Sequence, residues 1–320
     1  MKNAIFTMAA ISILGFACGG QSNDGSGLKK NVLPSTVDCK AGSATLEGKF
    51  VAPNLTTPVA GGEVAISTAS ACKAGTGADG SFKFLNVPPG VASISAKKGA
   101  LTATANAAPG AVATLAIDRN SVKIGYVRGA FDSIQTVVQR LGFTATQLAA
   151  ADLSSATLSQ YQAVLLNCGA DDRYATQAAT MSNLTNFVNA GGVLYVSDWA
   201  YSYVQSAFPG QVTFLTPDPH VGDDGEQTAE VVDEALHLAL GKTTADIDFN
   251  LSGWVVIDST PSGDQLLAGP VIVSGASRGR HPYAAQFAVG QGRVTYTSFH
   301  NEAQTTADMD KLLEQMLLGL

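Results

Sequence analysis

Phe187–Tyr201, FVNAGGVLYVSDWAY, contains the transition that decides the fold. Its first residues close a helical stripe: Met181, Leu184, Phe187 and Val188 recur at the spacing of one helix face, and Gly191-Gly192 stops it. The run GVLYVSD then predicts a strand whose near-continuous apolar side chains need cover on both faces. Ser197 and Asp198 lead straight from that strand into a second helix start, WAYSYV. Helix, glycine stop, buried strand and new helix form the repeating unit of a parallel sheet with crossover helices.

The same alternation extends in both directions. VKIGYV reads as a buried strand, and Phe131–Leu141 places Ile134, Val137, Val138 and Leu141 at helical spacing before Gly142. YQAVLLNCG is the next strand, PYAAQFAVGQGRVTYTSF reads as two strands around a glycine-rich turn, and a last helix is expected from about Ala303 to Leu318. Residues 122–320 are therefore read as one α/β domain, an open, mostly parallel flavodoxin-like sheet with flanking helices. Ahead of it, residues 43–118 follow a period of two. ATLEGKFV, GEVAIS, SFKFLNV, VASISAKK and VATLAI, punctuated by Asp79-Gly80 and Pro89-Gly90, predict a small β-sandwich. That segment contains no histidine and offers no metal cluster.

The first residues read as an address. Lys2 supplies a positive end, Ala4–Phe16 an apolar stretch too short to span a bilayer, and Ala17-Cys18 a small-residue cleavage point. ILGFACGG resembles a bacterial lipoprotein signal, although Gly15 stands where a Leu or Val is usual. The resemblance implies a signal peptide over residues 1–17 and a lipidated Cys18 (palmitate among its acyl chains) as membrane anchor. Gly19, which is not acidic, favours the outer membrane. Residues 18–42, GGQSNDGSGLKKNVLPS and its continuation, are expected to be a flexible tether. Export makes Cys39 and Cys72 a candidate disulfide, with Cys168 left alone. A net charge of −7 argues against a nucleic-acid surface.

Ligands of open parallel sheets bind beyond the carboxyl ends of the strands, where Cys168, Asp198 and the pair His300 and Glu302 fall. FVNAGGVLYVSDWAY together with GQGRVTYTSFHNE resembles the class I glutamine amidotransferase-like fold. That resemblance implies a nucleophilic Cys on a strand-to-helix elbow and a His followed two residues later by a Glu. His300 and Glu302 match the second element; the elbow offers Ser197, Asp198 and Trp199 but no Cys, and residues 211–282 match poorly. Similarly, GTGADGSFKFLNVPPGVASISAKKG with PVAGGEVAIS resembles the carboxypeptidase regulatory-like, transthyretin-like domains, which serve as spacers or binding modules.

The catalytic candidates are thus His300 as base, Glu302 as its orienter, and Cys168, Ser197 or a water as nucleophile. Asp198 is either an acid or a helix cap. Trp199, Tyr201 and Tyr203 fall at the expected cleft edge, where one or two would face a sugar or peptide, and Arg278 and Arg280 in a loop suited to a carboxylate or phosphate. The acidic run TPDPHVGDDGEQTAE lacks the EF-hand spacing and reads as a solvated loop leading into a helix from Ala229 to Leu240. No cofactor or metal is expected. The preferred expectation is an exported lipoprotein whose amidotransferase-like domain binds a ligand, or an envelope protein or glycan, without turnover. An envelope hydrolase and a structural component of an envelope or surface-motility assembly are the alternatives.

Overall fold

The computed structural model describes residues 32–69, 71–301 and 305–319. The proposed signal residues 1–17, Cys18 and Glu302 lie outside the described residues. Among the described residues, no helix is long and apolar enough to cross a membrane.

Eight strands come first: β1 (Thr36–Asp38), β2 (Ala44–Val51), β3 (Glu63–Ile66), β4 (Lys73–Gly75), β5 (Ser81–Val87), β6 (Ala92–Lys98), β7 (Leu101–Ala107) and β8 (Val112–Ala116). They form two four-stranded sheets, ordered β1-β5-β2-β8 and β4-β3-β6-β7. Strand β6 buries every second residue, as a strand with one covered face must. Leu46, Phe50, Phe82 and Phe84 of the first sheet share a core with Val64, Ile66, Ile94 and Leu101 of the second. Cys39 is joined to Cys72 with Cα atoms 5.5 Å apart. Because β1 pairs with β5 and Cys39 follows it directly, the expected tether cannot run as far as residue 42.

The remainder contains β9 (Ile124–Val127), α1 (Ile134–Arg140), β10 (Ala145–Leu148), β11 (Ala163–Leu166), α2 (Ala178–Asn189), β12 (Val193–Ser197) and α3 (Tyr201–Ala207). It continues with β13 (Thr213–Phe214), β14 (His220–Gly222), β15 (Gly225–Val231), α4 (Glu234–Leu240), β16 (Thr244–Phe249), β17 (Trp254–Val255) and β18 (Ile257–Ser259). Last come β19 (Asp264–Val273), β20 (Ala276–Val289), β21 (Gly292–Thr297) and α5 (Ala307–Leu317). Nine strands make one sheet in the order β10-β9-β11-β12-β21-β20-β19-β15-β16.

Strands β11 and β12 are buried throughout, as their apolar runs require. Their side chains alternate between two cores. Ala163, Leu165, Val193 and Tyr195 share one core with Ile134, Val137, Leu312 and Leu313 of α1 and α5, while Val164, Leu166, Leu194 and Val196 share the other with Leu184 and Val204 of α2 and α3. The chain also binds its two parts together. Asn54 donates its side-chain amide to the Arg140 carbonyl and its N–H to the Leu141 carbonyl, and Gln315 Nε2 donates to the Pro58 carbonyl.

The structure departs from the expected sheet in two places. The first five strands in spatial order run parallel, but β20, β19, β15 and β16 join by antiparallel pairing, so the sheet is mixed rather than mostly parallel. The helix expected from Ala229 begins instead at Glu234. Residues 225–231 alternate in exposure as β15, and Asp233 starts the helix by accepting the N–H of Leu236 at 2.9 Å.

Candidate functional site

Four neighbouring parallel strands deliver one polar side chain each to the same end of the sheet. Beyond β9 comes Asp132, beyond β11 Cys168, beyond β12 Asp198, and beyond β21 His300. Their loops converge because the parallel strands all end on one side, the usual ligand edge of such sheets.

Asp198 stands at the turn from β12 into the next helix with φ of 42°, a left-handed conformation that Asp tolerates better than most residues but that still carries strain. Two bonds hold it there: Tyr296 donates its hydroxyl to the Asp198 carbonyl at 2.9 Å, and the Val255 N–H donates to Oδ1 at 2.7 Å. The second carboxylate oxygen, Oδ2, is left facing the site. It lies 3.4 Å from His300 Nε2 and accepts the Cys168 thiol, also at 3.4 Å. Cys168 and Asp198 are buried and His300 nearly so. Asp198 therefore faces Cys168 and His300 from the turn where the resemblance implied a nucleophile, and its capping of the following helix is not seen.

The candidate nucleophiles Cys168 and Ser197 are restrained. Burial pushes the Cys168 thiol up to about 12, and the Asp198 charge adds to this against the opposing influence of His300. At neutral pH the group is a thiol, not the thiolate that nucleophilic catalysis requires. Ser197 is fully buried and turned the other way: its Oγ accepts the Cys168 N–H at 3.0 Å and donates to Asp132 Oδ2 at 2.5 Å. The pairing of His300 with Glu302 falls outside the described residues; the carboxylate seen beside the ring is that of Asp198.

A cavity of about 180 Å³ opens above this floor. Phe131, Trp199, Phe249, Leu251, Trp254 and Met309 give it apolar walls, with Cys168, Asp198 and His300 among its polar lining. Trp199 is 41% exposed at the rim and donates its indole N–H to the Gly253 carbonyl, which fixes the ring. The other aromatic candidates do not line this cavity. Tyr201 packs edge-on against Phe214 and His220, and Tyr203 is buried and donates to the Asp171 carbonyl. Arg278 and Arg280 also lie elsewhere, in strand β20 rather than a loop, where Arg280 pairs with Glu230. In the acidic run, His220 Nδ1 lies 2.9 Å from Asp218, and Asp223 accepts the N–H groups of Ser274 and Gly275. Asp218 is thus engaged locally, while Asp223 holds the distant turn between β19 and β20.

Sequence reasoning missed Asp132, whose place before α1 resembles that of an ordinary helix cap. The carboxyl is buried, accepting from Ser197 and from the Asn301 N–H at 3.2 Å. Burial raises its pKa, and the charge of His300 and the bonds from Ser197, Asn301 and Ser133 only partly offset that. A carboxyl with a raised folded-state pKa contributes stability that is complete below its unfolded value, near about 4, and is lost as pH rises through the folded value. Asp132→Asn, which mimics the neutral acid, is therefore expected to flatten the decline in unfolding free energy from pH ~4 towards neutrality. Urea unfolding over a pH series with chelator present measures this, and parallel curves for variant and parent would rule it out.

No protein-family model matches the sequence, and no curated protein matches it. Among solved structures, the chain is similar to a cytoplasmic protein from Salmonella typhimurium, at 11% identity over 62% of this chain and 96% of that one, with a TM-score of 0.44. It is also similar to a ThuA-like protein from Bacteroides uniformis, at 14% identity over 62% and 89% of the two chains, TM-score 0.45. A glutamine amidotransferase from Thermotoga maritima aligns at 8% identity over 56% and 75%, TM-score 0.39.

Proposed function

We propose that this chain is an exported lipoprotein, held to the cell envelope through lipidated Cys18, whose amidotransferase-like domain binds a ligand or envelope partner without turning it over. In this reading residues 1–17 are the signal and the tether ends before Thr36. The two four-stranded sheets form a carboxypeptidase regulatory-like β-sandwich spacer, and residues 122–320 carry the binding cleft. The single observation that carries the non-catalytic reading is the elbow itself. Asp198, at φ of 42°, occupies the turn where a nucleophile would stand, and a carboxylate with one oxygen on the Val255 N–H and the other facing His300 and Cys168 is poorly placed to attack. The bonded Cys39 and Cys72 suit an oxidising compartment.

The cleft fits a ligand with an apolar face for Trp199 and Phe131 and a polar group directed at the floor, as envelope oligosaccharides and peptides have. Ammonia release from glutamine and phenol release from aryl esters are both expected to be at background in purified protein and unchanged by His300→Ala. Turnover above background that disappears in His300→Ala would remove this proposal. One observation favours a second reading, a hydrolase that uses water. His300 Nε2 and Asp198 Oδ2, 3.4 Å apart, form a carboxylate–imidazole pair able to take a proton from a water in the cleft. The same assay separates the two.

A further inference from the structure

We propose that Cys168, Asp198 and His300 form a transition-metal site, best suited to Zn²⁺, whose open coordination position faces the aromatic cleft. One donor atom from each residue lies within 4.8 Å of the others. The spacing is close to what a metal needs. With Zn–S near 2.3 Å and Zn–N and Zn–O near 2.0–2.2 Å, neighbouring donors of a tetrahedral site lie about 3.3–3.7 Å apart. His300 Nε2 to Asp198 Oδ2 and Cys168 Sγ to Asp198 Oδ2 are each 3.4 Å, so two edges of the tetrahedron are already set. Closing the third needs only a small approach of thiol and imidazole, whose donors already fall within the same 4.8 Å group.

Three further features favour an ion here. The donors stand just past the ends of three adjacent parallel strands, β11, β12 and β21, and are held by the framework rather than by loose surface loops. Asp198 has support behind it, since the Val255 N–H occupies Oδ1 and leaves Oδ2 aimed at the site, as hydrogen-bonded metal carboxylates usually are. The charge also balances, because a thiolate and a carboxylate together neutralise a divalent ion in a buried place. On binding, the Cys168 S–H bond breaks, the sulfur bonds the metal and the proton leaves to solvent. The mixed sulfur, nitrogen and oxygen set excludes Ca²⁺ and Mg²⁺, which take oxygen donors, and three protein ligands leave the fourth place to a water or ligand atom from the cavity.

This inference goes beyond the ligand-binding proposal and does not rest on it, because it is tested with metal alone. The full, untagged chain carrying Cys18→Ser retains Cys168 as its free thiol. Equilibrium dialysis against Zn²⁺ is expected to load one ion per chain, and Co²⁺ is expected to give thiolate-to-cobalt charge-transfer absorption. Cys168→Ser is expected to abolish that absorption. Cys168→Ser and His300→Ala are each expected to weaken Zn²⁺ binding by more than about 100-fold, beyond the loss caused by removing a mere supporting residue. Absence of a bound ion, or equal affinity in parent and both variants, would overturn the proposal. If either variant fails to fold in metal-free melting curves, the cobalt spectrum of the parent decides: thiolate absorption supports the site and its absence refutes it.

Discussion

Reducing the Cys39–Cys72 bond is expected to lower the unfolding free energy of the eight-stranded region by about 4 kcal/mol. The two residues are 33 apart in sequence, and the chain-entropy relation for a loop of that size gives roughly that figure at 25 °C. The native contacts point the same way. Cys39 follows β1, a three-residue edge strand paired only with β5, while Cys72 immediately precedes β4, a three-residue edge strand of the other sheet. Short edge strands hold few ladder bonds, so the covalent link contributes much of what keeps both edges in register. The double variant Cys39→Ser/Cys72→Ser, compared with the parent in urea with and without reductant, measures the effect. Reductant should destabilise the parent and leave the variant unchanged. A loss below about 1 kcal/mol would mean that the sheets hold these edges unaided and that the disulfide says little about the compartment in which the chain folds.

How much of this was legible beforehand depended on distance along the chain. The buried runs AVLL and VLYVS specified strands covered on both faces, and the glycine stops at Gly142 and Gly191 specified where helices end. With strand ends located, the rule for open sheets placed Cys168, Asp198 and His300 on one edge, and the structure brings these three together. The partners that the described residues supply were not legible, because they lie far away in sequence. Glu302, two residues from His300, is the orienter that the sequence offers and lies outside the described residues; the carboxylate described beside the ring comes from Asp198, 102 residues away. Val255, whose N–H fixes Asp198, comes from the segment with the weakest pattern, where short strands and an antiparallel extension replace the regular alternation. Asp132 before α1 resembles an ordinary helix cap, and Ser197 at the end of β12 reads as a candidate nucleophile. Only the alignment of β9, β11 and β12 as successive strands of one sheet turns them into a buried hydrogen-bonded pair.

Gly129→Ala is expected to be the most damaging single methyl group that can be added near the site. Gly129 lies in the turn between β9 and α1. A Cβ there would sit 2.0 Å from the Cys168 carbonyl oxygen and 2.8 Å from that of Asn167. Both obstacles are backbone, so no rotamer change relieves the clash. Either the turn lifts away, breaking the bond from the Phe131 N–H to the Cys168 carbonyl, or the end of β11 moves and carries the thiol with it. Overpacking of this kind against fixed backbone costs about 3 kcal/mol or more. Gly210→Ala provides the contrast. Gly210 has φ of 80° with nothing within 4 Å of an added Cβ, so it carries only the penalty of a left-handed alanine, about 1 kcal/mol. Urea unfolding of the two variants compares them directly, and a thiol reagent reports on the site, since a displaced β11 end should make buried Cys168 react faster in Gly129→Ala than in Gly210→Ala. Equal destabilisation and equal reactivity would show that the β9 turn does not brace the strand end. The position of Cys168 beside Asp198 and His300 would then need another support.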